Sequence, residues 1–221
     1  MSEKLLERLF NNLRFLEKEG RLGLSGEELQ EITGRKRKLT VEELIGISVA
    51  CEVPVSVLLE TQLGARFPGI KMLVMDCDGV LTDGGMIFTK NGDEIKQFNS
   101  KDGLGIKQAR ENGMVTAILS SGISTGIVER RAQMLGVDHV YVGKEPKLDI
   151  LEIWMRQHNF GFDEIAYIGD DLTDLPILER AGLSACPSDA VLRVRQACKV
   201  VLAKKGGEGC VRELVDNYLP V

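Results

Sequence analysis

Two different hydrophobic periods divide this chain. Over residues 1–65, Leu5, Leu6, Leu9, Phe10, Leu13 and Leu16 recur at helical spacing and predict an amphipathic helix. Ser25 with Glu28, and Thr40 with Glu43, repeat the hydroxyl-then-glutamate spacing of a capping box. They predict a second helix reaching about Ile32 and a third over 41–51. Pro54 and Val55 open a short fourth that ends near Thr61. No strand period occurs in this stretch, and GARFPG (64–69) reads as a linker. From residue 70 the pattern alternates. Apolar, β-branched runs at 71–76, 115–120, 139–142, 165–169, 183–186 and 199–203 alternate with helical stretches near 102–112, 124–135, 146–158, 173–181, 189–197 and 208–218. Such alternation implies right-handed crossovers and a parallel sheet. One insertion, GMIFTKNGDEIKQFN (85–99), places two strand-like runs around Asn91-Gly92, a hairpin signal. The expectation is an α/β chain. Residues 66–221 form a Rossmann-like parallel sheet with helices on both faces and a β-hairpin insertion, after a small all-α module at 1–65.

Composition narrows the function classes. The net charge is −5, and it is spread evenly: residues 1–66 hold 10 basic and 11 acidic residues, residues 67–221 hold 18 and 22. Neither part is the basic domain that nucleic-acid binding requires. Arg35–Lys38 is a basic run, read either as a solvated loop or as a phosphate or nucleic-acid contact. The 5 cysteines contain no CxxC pair, which suits reduced thiols. The first twenty residues lack the apolar core of a signal peptide. No apolar run approaches the roughly 20 residues of a membrane helix. The expectation is a cytoplasmic protein with no membrane partner.

The candidate chemistry lies at the predicted strand ends, the ligand-binding edge of open α/β sheets. The run MLVMDCDGVLTD delivers Asp76 and Asp78 there, and residues i and i+2 of an extended chain face the same way. Gly79 then permits a sharp turn. One such acid can be a nucleophile while the other moves protons. The strand VTAIL ends in Ser120-Ser121-Gly122, whose hydroxyl and backbone amides can bind phosphate oxygens. Lys147 opens the helix in KEPKLDIL and can pair with a phosphoryl group or a carboxylate; Lys144, nearer the strand end, competes for that role. Asp170 and Asp171 follow IAYIG, with Asp174 one turn on, and can complete a Mg2+ site, since Mg2+ takes oxygen ligands. Singly each feature is weak: Ser120 is an ordinary turn residue and GDD an ordinary helix cap. Their fixed order, each after a strand, is what points to a site.

DCDGVLTD, the serine after AIL, the lysine in EPKLDIL and GDDLTD resemble the four motifs of the haloacid dehalogenase superfamily of phosphatases. The resemblance spans residues 70–221. Within that superfamily, DGVLTDG, the short hairpin in place of a cap domain, KDG (101–103) and GGEGCVRE (206–213) resemble the 3-deoxy-manno-octulosonate 8-phosphate phosphatases and their nonulosonate 9-phosphate relatives. The resemblance implies that Asp76 attacks phosphorus and that Asp78 is the acid and base. It implies Mg2+ bound by the Asp76 and Asp170 side chains and the Asp78 carbonyl. Ser120 and Lys147 would bind phosphoryl oxygens, with Ser121 beside them, while Asp171 and Asp174 orient the metal's waters or Lys147. It further implies a phosphorylated sugar acid as substrate and a homotetramer in which hairpins and C-terminal tails close neighbouring sites. In one respect the chain departs from that pattern. The octulosonate phosphatases carry Thr-Gly-Arg where this chain has Ser120-Ser121-Gly122, so the arginine suited to a sugar-acid carboxylate is absent. Arg212 and Lys204-Lys205 in the tail are candidates to replace it; a solvated tail is the other reading. A freely moving tail, given Gly206 and Gly207, is expected to reach a neighbour's Asp76.

Residues 1–65 resemble a helix-turn-helix domain of the phage-repressor type without the recognition helix, which would fall between Gly34 and Thr40. A reader of the major groove needs that helix, so an oligomerisation or packing role is expected for this module. The alternatives to a sugar-acid phosphatase are a phosphatase for another small ester, a DNA-binding regulator that senses a ligand, and a catalytically silent partner domain. The missing helix and even charge count against the regulator. The intact Asp76, Asp78, Lys147 and Asp170 count against the silent domain.

Overall fold

The computed structural model describes residues 3–51, 53–60, 63–64, 66–122 and 125–220. The predicted helix boundaries near Thr61 and at 124, and Ala65 of the linker, lie outside the described residues. The chain forms two compact units, residues 1–65 and 66–221.

The first unit is built from α1 (Glu3–Lys18), α2 (Gly26–Thr33), α3 (Val41–Ala50) and α4 (Val55–Glu60). Ser25 and Thr40 make the reciprocal capping boxes with Glu28 and Glu43. Leu9, Leu13, Leu16, Leu29, Ile32, Ile47 and Leu58 form its core. Asn12 is fully buried there, donating to the Leu58 carbonyl (2.8 Å) and accepting from the Leu63 amide (2.7 Å), so the polar group costs little. Turns and bends, with no helix, join α2 to α3. Val41, Ile45 and Val49 form an exposed apolar row on α3.

The second unit contains a six-stranded parallel sheet: β1 (Met72–Met75), β4 (Val115–Ser120), β5 (His139–Val142), β6 (Ile165–Ile168), β7 (Leu183–Cys186) and β8 (Val200–Val201). Their order is β5-β4-β1-β6-β7-β8. Side chains alternate across the strands. Leu73 and Met75 enter the layer under α5 (Ser100–Glu111), α6 (Thr125–Leu135) and α10 (Cys210–Tyr218). Met72 and Val74 enter the layer under α7 (Lys147–His158), α8 (Leu175–Leu178) and α9 (Leu192–Ala197). Connections leave β1 toward β4 and leave β6 toward β7, so the order reverses between β1 and β6. That reversal opens a crevice at the C-terminal edge of a parallel sheet.

The insertion is an antiparallel pair, β2 (Ile87–Phe88) and β3 (Glu94–Ile95), with Phe88 opposite Glu94. Gly92 adopts φ +87 in the turn, and the Thr89 amide donates to the Asp93 carbonyl at 2.8 Å. This closes a three-residue turn with a left-handed glycine, a recurring hairpin solution. Met86, Ile87, Phe88 and Ile95 are exposed.

The tail differs from the expectation of a freely moving flap. Cys210, Val211, Leu214, Val215 and Tyr218 are buried in the core of their own unit. A Cβ on Gly206 would lie 2.1 Å from the Gly79 carbonyl, and the Gly207 amide donates to the Val80 carbonyl at 2.9 Å. The two glycines serve close packing against the loop after β1. The buried Asp102 accepts from the Arg212 amide at 2.8 Å and so fixes the start of α10.

Candidate active site

Strand β1 ends at the crevice, and Asp76 continues its ladder by donating its amide to the Ile168 carbonyl (3.0 Å). The residue is buried, and its carboxylate lies 2.9 Å from Lys147 Nζ. The chain then winds into one helical turn, with the Leu81 and Thr82 amides both donating to the Cys77 carbonyl. Gly79 has φ +84, and a Cβ there would stand 2.1 Å from Asp170 Oδ2. Only glycine lets this loop approach the second acidic strand end so closely.

Lys147 is buried at the first turn of α7, with Nζ also 2.7 Å from Asp174 Oδ1. Asp174 is fully buried, and both its oxygens are committed. Oδ1 accepts from Lys147 and from the Tyr167 hydroxyl (2.6 Å), while Oδ2 accepts from the Asp170 and Asp171 amides at 3.1 and 3.2 Å. Asp174 therefore orients Lys147 and the β6 loop. Asp170 Oδ1 is buried with no hydrogen-bond partner, an arrangement that calls for a ligand. Carboxylate oxygens of Asp76, Asp170 and Asp174 lie within 4.8 Å of one another.

Electrostatics agree with that geometry. Burial, then the charge of Asp174, raises Asp76 to about 7 against the pull of Lys147. Burial, then Asp76, raises Asp170 to about 7. Burial opposes charge on Lys147, but Asp76 and Asp174 outweigh it and raise its pKa. One ammonium among three carboxylates leaves negative charge uncompensated. An all-oxygen cluster with an unpartnered oxygen fits a hard divalent cation.

Asp78 turns to a different set of partners. Its Oδ1 accepts from Lys96 Nζ (2.5 Å) and from the Thr82 hydroxyl (3.4 Å). A Cβ on Gly122 would stand 3.2 Å from both Asp78 Oδ2 and Ser120 Oγ, so Asp78, Ser120 and Gly122 bound one corner of the site. Ser120 is buried and accepts from the Gly122 amide at 3.1 Å, while Ser121 is exposed.

The structure thus gathers Asp76, Lys147, Asp170 and Asp174, and places Asp78 beside Ser120. Asp171 is exposed and caps the short turn 172–174 by accepting from the Leu172 amide. Lys144 is exposed, and Lys147 occupies the position beside Asp76. Arg212 is not brought to the cluster: its Nε pairs with Asp216 at 2.7 Å, and its Cα and Cδ pack at the Gly105 position. Sequence reasoning missed Tyr167 and Lys96. Tyr167 carried a faint signal, a polar-tipped residue inside an otherwise apolar strand two positions before the GDD. Lys96 lies in the hairpin arm, where its alternation from Glu94 put both on one face.

No protein-family model matches the chain. Over 175 residues it is 37% identical to the 3-deoxy-D-manno-octulosonate 8-phosphate phosphatase of Escherichia coli, covering 79% of this chain and 90% of that one. A probable YrbI-family phosphatase from Pseudomonas syringae superposes with a TM-score of 0.67 at 44% identity, covering 68% of this chain and 85% of its own. The 3-deoxy-D-manno-octulosonate 8-phosphate phosphatase of Moraxella catarrhalis, solved with a magnesium ion, a phosphate ion and KDO, superposes with a TM-score of 0.65. It is 35% identical and covers 67% of this chain and 84% of its own.

Proposed function

Because the chain belongs to the 3-deoxy-D-manno-octulosonate 8-phosphate phosphatase family, phosphoric monoester hydrolases of the haloacid dehalogenase superfamily, we propose that it hydrolyses a sugar-acid phosphate through an aspartyl-phosphate intermediate. The observation that carries this reading is the buried Asp76 carboxylate, 2.9 Å from Lys147 and beside the unpartnered Asp170 oxygen. Asp76 attacks phosphorus in line and expels the sugar oxygen. Asp78 protonates that oxygen, then takes a proton from the water that attacks the aspartyl phosphate. Ser120 and Lys147 bind the phosphoryl oxygens. Asp174 and Tyr167 hold Lys147 in place, and Asp171 fixes the turn that carries Asp174. The Asp76 and Asp170 carboxylates and the Asp78 carbonyl would hold Mg2+, which would supply positive charge against carboxylate and phosphate. Activity is therefore expected to vanish after EDTA treatment, return with Mg2+, and fall with excess Ca2+. Calcium takes more ligands at longer distances and can draw both Asp76 oxygens from the attacking geometry. Full turnover of metal-stripped protein would contradict this.

The substrate class rests on family membership and on the site's corner at Gly122. The sugar acid of an eight-carbon octulosonate or a nine-carbon nonulosonate 8- or 9-phosphate fits the reading. Another small phosphate ester is the alternative, and a panel of both types separates them. Gly122→Arg is expected to lower KM for 3-deoxy-octulosonate 8-phosphate by about tenfold, the order of one charge-assisted pair, with no such fall in KM for p-nitrophenyl phosphate, which has no carboxylate. An unchanged KM would place the substrate carboxylate elsewhere. The exposed apolar rows of the hairpin and of α3 support self-association, for which a homotetramer is the proposed form. Among the described residues no helix is long and apolar enough to cross a membrane.

A further inference from the structure

We propose that Lys96, supported by Glu94, is a positioning residue for Asp78: it grips Oδ1 so that Oδ2 is the oxygen presented to the leaving group. This rests on the reading of Asp78 as the acid and base. The Lys96 side chain is 4% exposed and that of Glu94 6%, with Nζ 2.7 Å from Glu94 Oε1 and 2.5 Å from Asp78 Oδ1. Burying an ammonium is costly unless carboxylates compensate it. Glu94 neutralises Lys96 within the hairpin, and Asp78 is the second carboxylate it meets. The same Asp78 oxygen accepts from Thr82, so Oδ1 is held from two sides. Oδ2 lies on the Gly122 and Ser120 side, where the phosphoester arrives. A carboxylate free to rotate would present either oxygen or neither; this clamp selects one.

The clamp's anchor is also local. Lys96 follows β3 directly, and three residues later Asn99 caps α5 and donates to the Gly207 carbonyl at 3.0 Å. Gly206, next to it, packs on Gly79 of the Asp78 loop. Hairpin arm and catalytic loop are thus fastened to one another in a single chain. The hairpin contributes to its own site, whatever its exposed outer side does.

A double-mutant cycle tests this with Lys96→Met, Asp78→Asn and the pair, each assayed on a sugar-acid phosphate and on p-nitrophenyl phosphate. Lys96→Met is expected to lower kcat for the sugar-acid phosphate roughly 100-fold, within the range of a lost general acid, with little change in KM. The p-nitrophenyl phosphate reaction, whose leaving group needs less protonation, should fall much less and reports that the protein is folded. In the Asp78→Asn background the same change should cost less than about threefold, because both act through one oxygen. Glu94→Gln, which loosens the clamp without deleting it, should give the same selectivity at smaller size. Multiplicative effects, a rise in KM in place of a fall in kcat, or equal losses on both esters would overturn the proposal. If Asp78→Asn alone shows no leaving-group selectivity, the acid assignment fails first, and that result is distinct from a failure of Lys96.

Discussion

Asp76→Asn is expected to abolish turnover, by a factor on the order of 10⁵, and to leave the protein folded. Removing a covalent nucleophile typically costs that much, because the remaining groups have nothing to act with. The fold tolerates the change for a reason visible in the site. Asp76 is a crowded carboxylate, raised to about 7 by burial and by Asp174. An amide of the same shape removes that burial penalty, and Lys147 keeps Asp174 at 2.7 Å. Thermal unfolding of the variant should therefore match the parent within a few degrees. A residual rate above about 1% of the parent would rule out the covalent route through Asp76, and Asp174, whose two oxygens are spent on four donors, is not a substitute for it.

Asp78→Asn should cost about 10³-fold on a sugar-acid phosphate, within the range for a lost general acid and base. A sugar alkoxide leaves poorly without a proton, so it depends on Asp78 for departure and again for the attacking water. With p-nitrophenyl phosphate the first demand nearly disappears and only the second persists. The defect should shrink to about tenfold. Equal defects for the two esters, measured as kcat at saturating substrate, would remove Asp78 from the acid role.

Much of this was legible in the sequence because it depends on local order. The alternation of β-branched runs with helical stretches specified a parallel sheet, and a parallel sheet gathers its strand ends at one edge. Once β1 and β6 were located, Asp76 and Asp170 had to meet wherever those strands are neighbours. Lys147 was legible as the first residue of a helix that follows a strand into the same edge, though only the fold separates it from Lys144. The residues that sequence reasoning missed depend on distant register. Lys96 reaches Asp78 across 18 positions, and only the folded hairpin, with Phe88 paired to Glu94, brings it there. Tyr167 lies in an apolar strand, and its hydroxyl matters only because Asp174 folds back beneath it.

The tail shows the converse error. Gly206 and Gly207 look like a hinge when glycine is read as freedom, and Arg212 looks like a loose cation. Glycine also marks close approach, and here the missing Cβ lets residue 206 touch the Gly79 carbonyl. Nothing in the local sequence separates the two uses. The amphipathic run from 210 to 218 carried the signal, since a helix with Val211, Leu214, Val215 and Tyr218 on one side needs a core to cover. Buried Asp102 at the head of that helix was equally hidden, because its partners are 110 positions away.

The central claim is that phosphate passes through Asp76. Mixing the protein with a sugar-acid phosphate, quenching within the first turnover and reducing with borohydride tests it most directly. Borohydride reduces an acyl phosphate to the alcohol and spares free carboxylates. The account predicts homoserine at position 76 alone, in the peptide containing MLVMDCDG, and none in the Asp76→Asn variant. Reduction at another residue, or turnover with no reducible intermediate at any quench time, would contradict it.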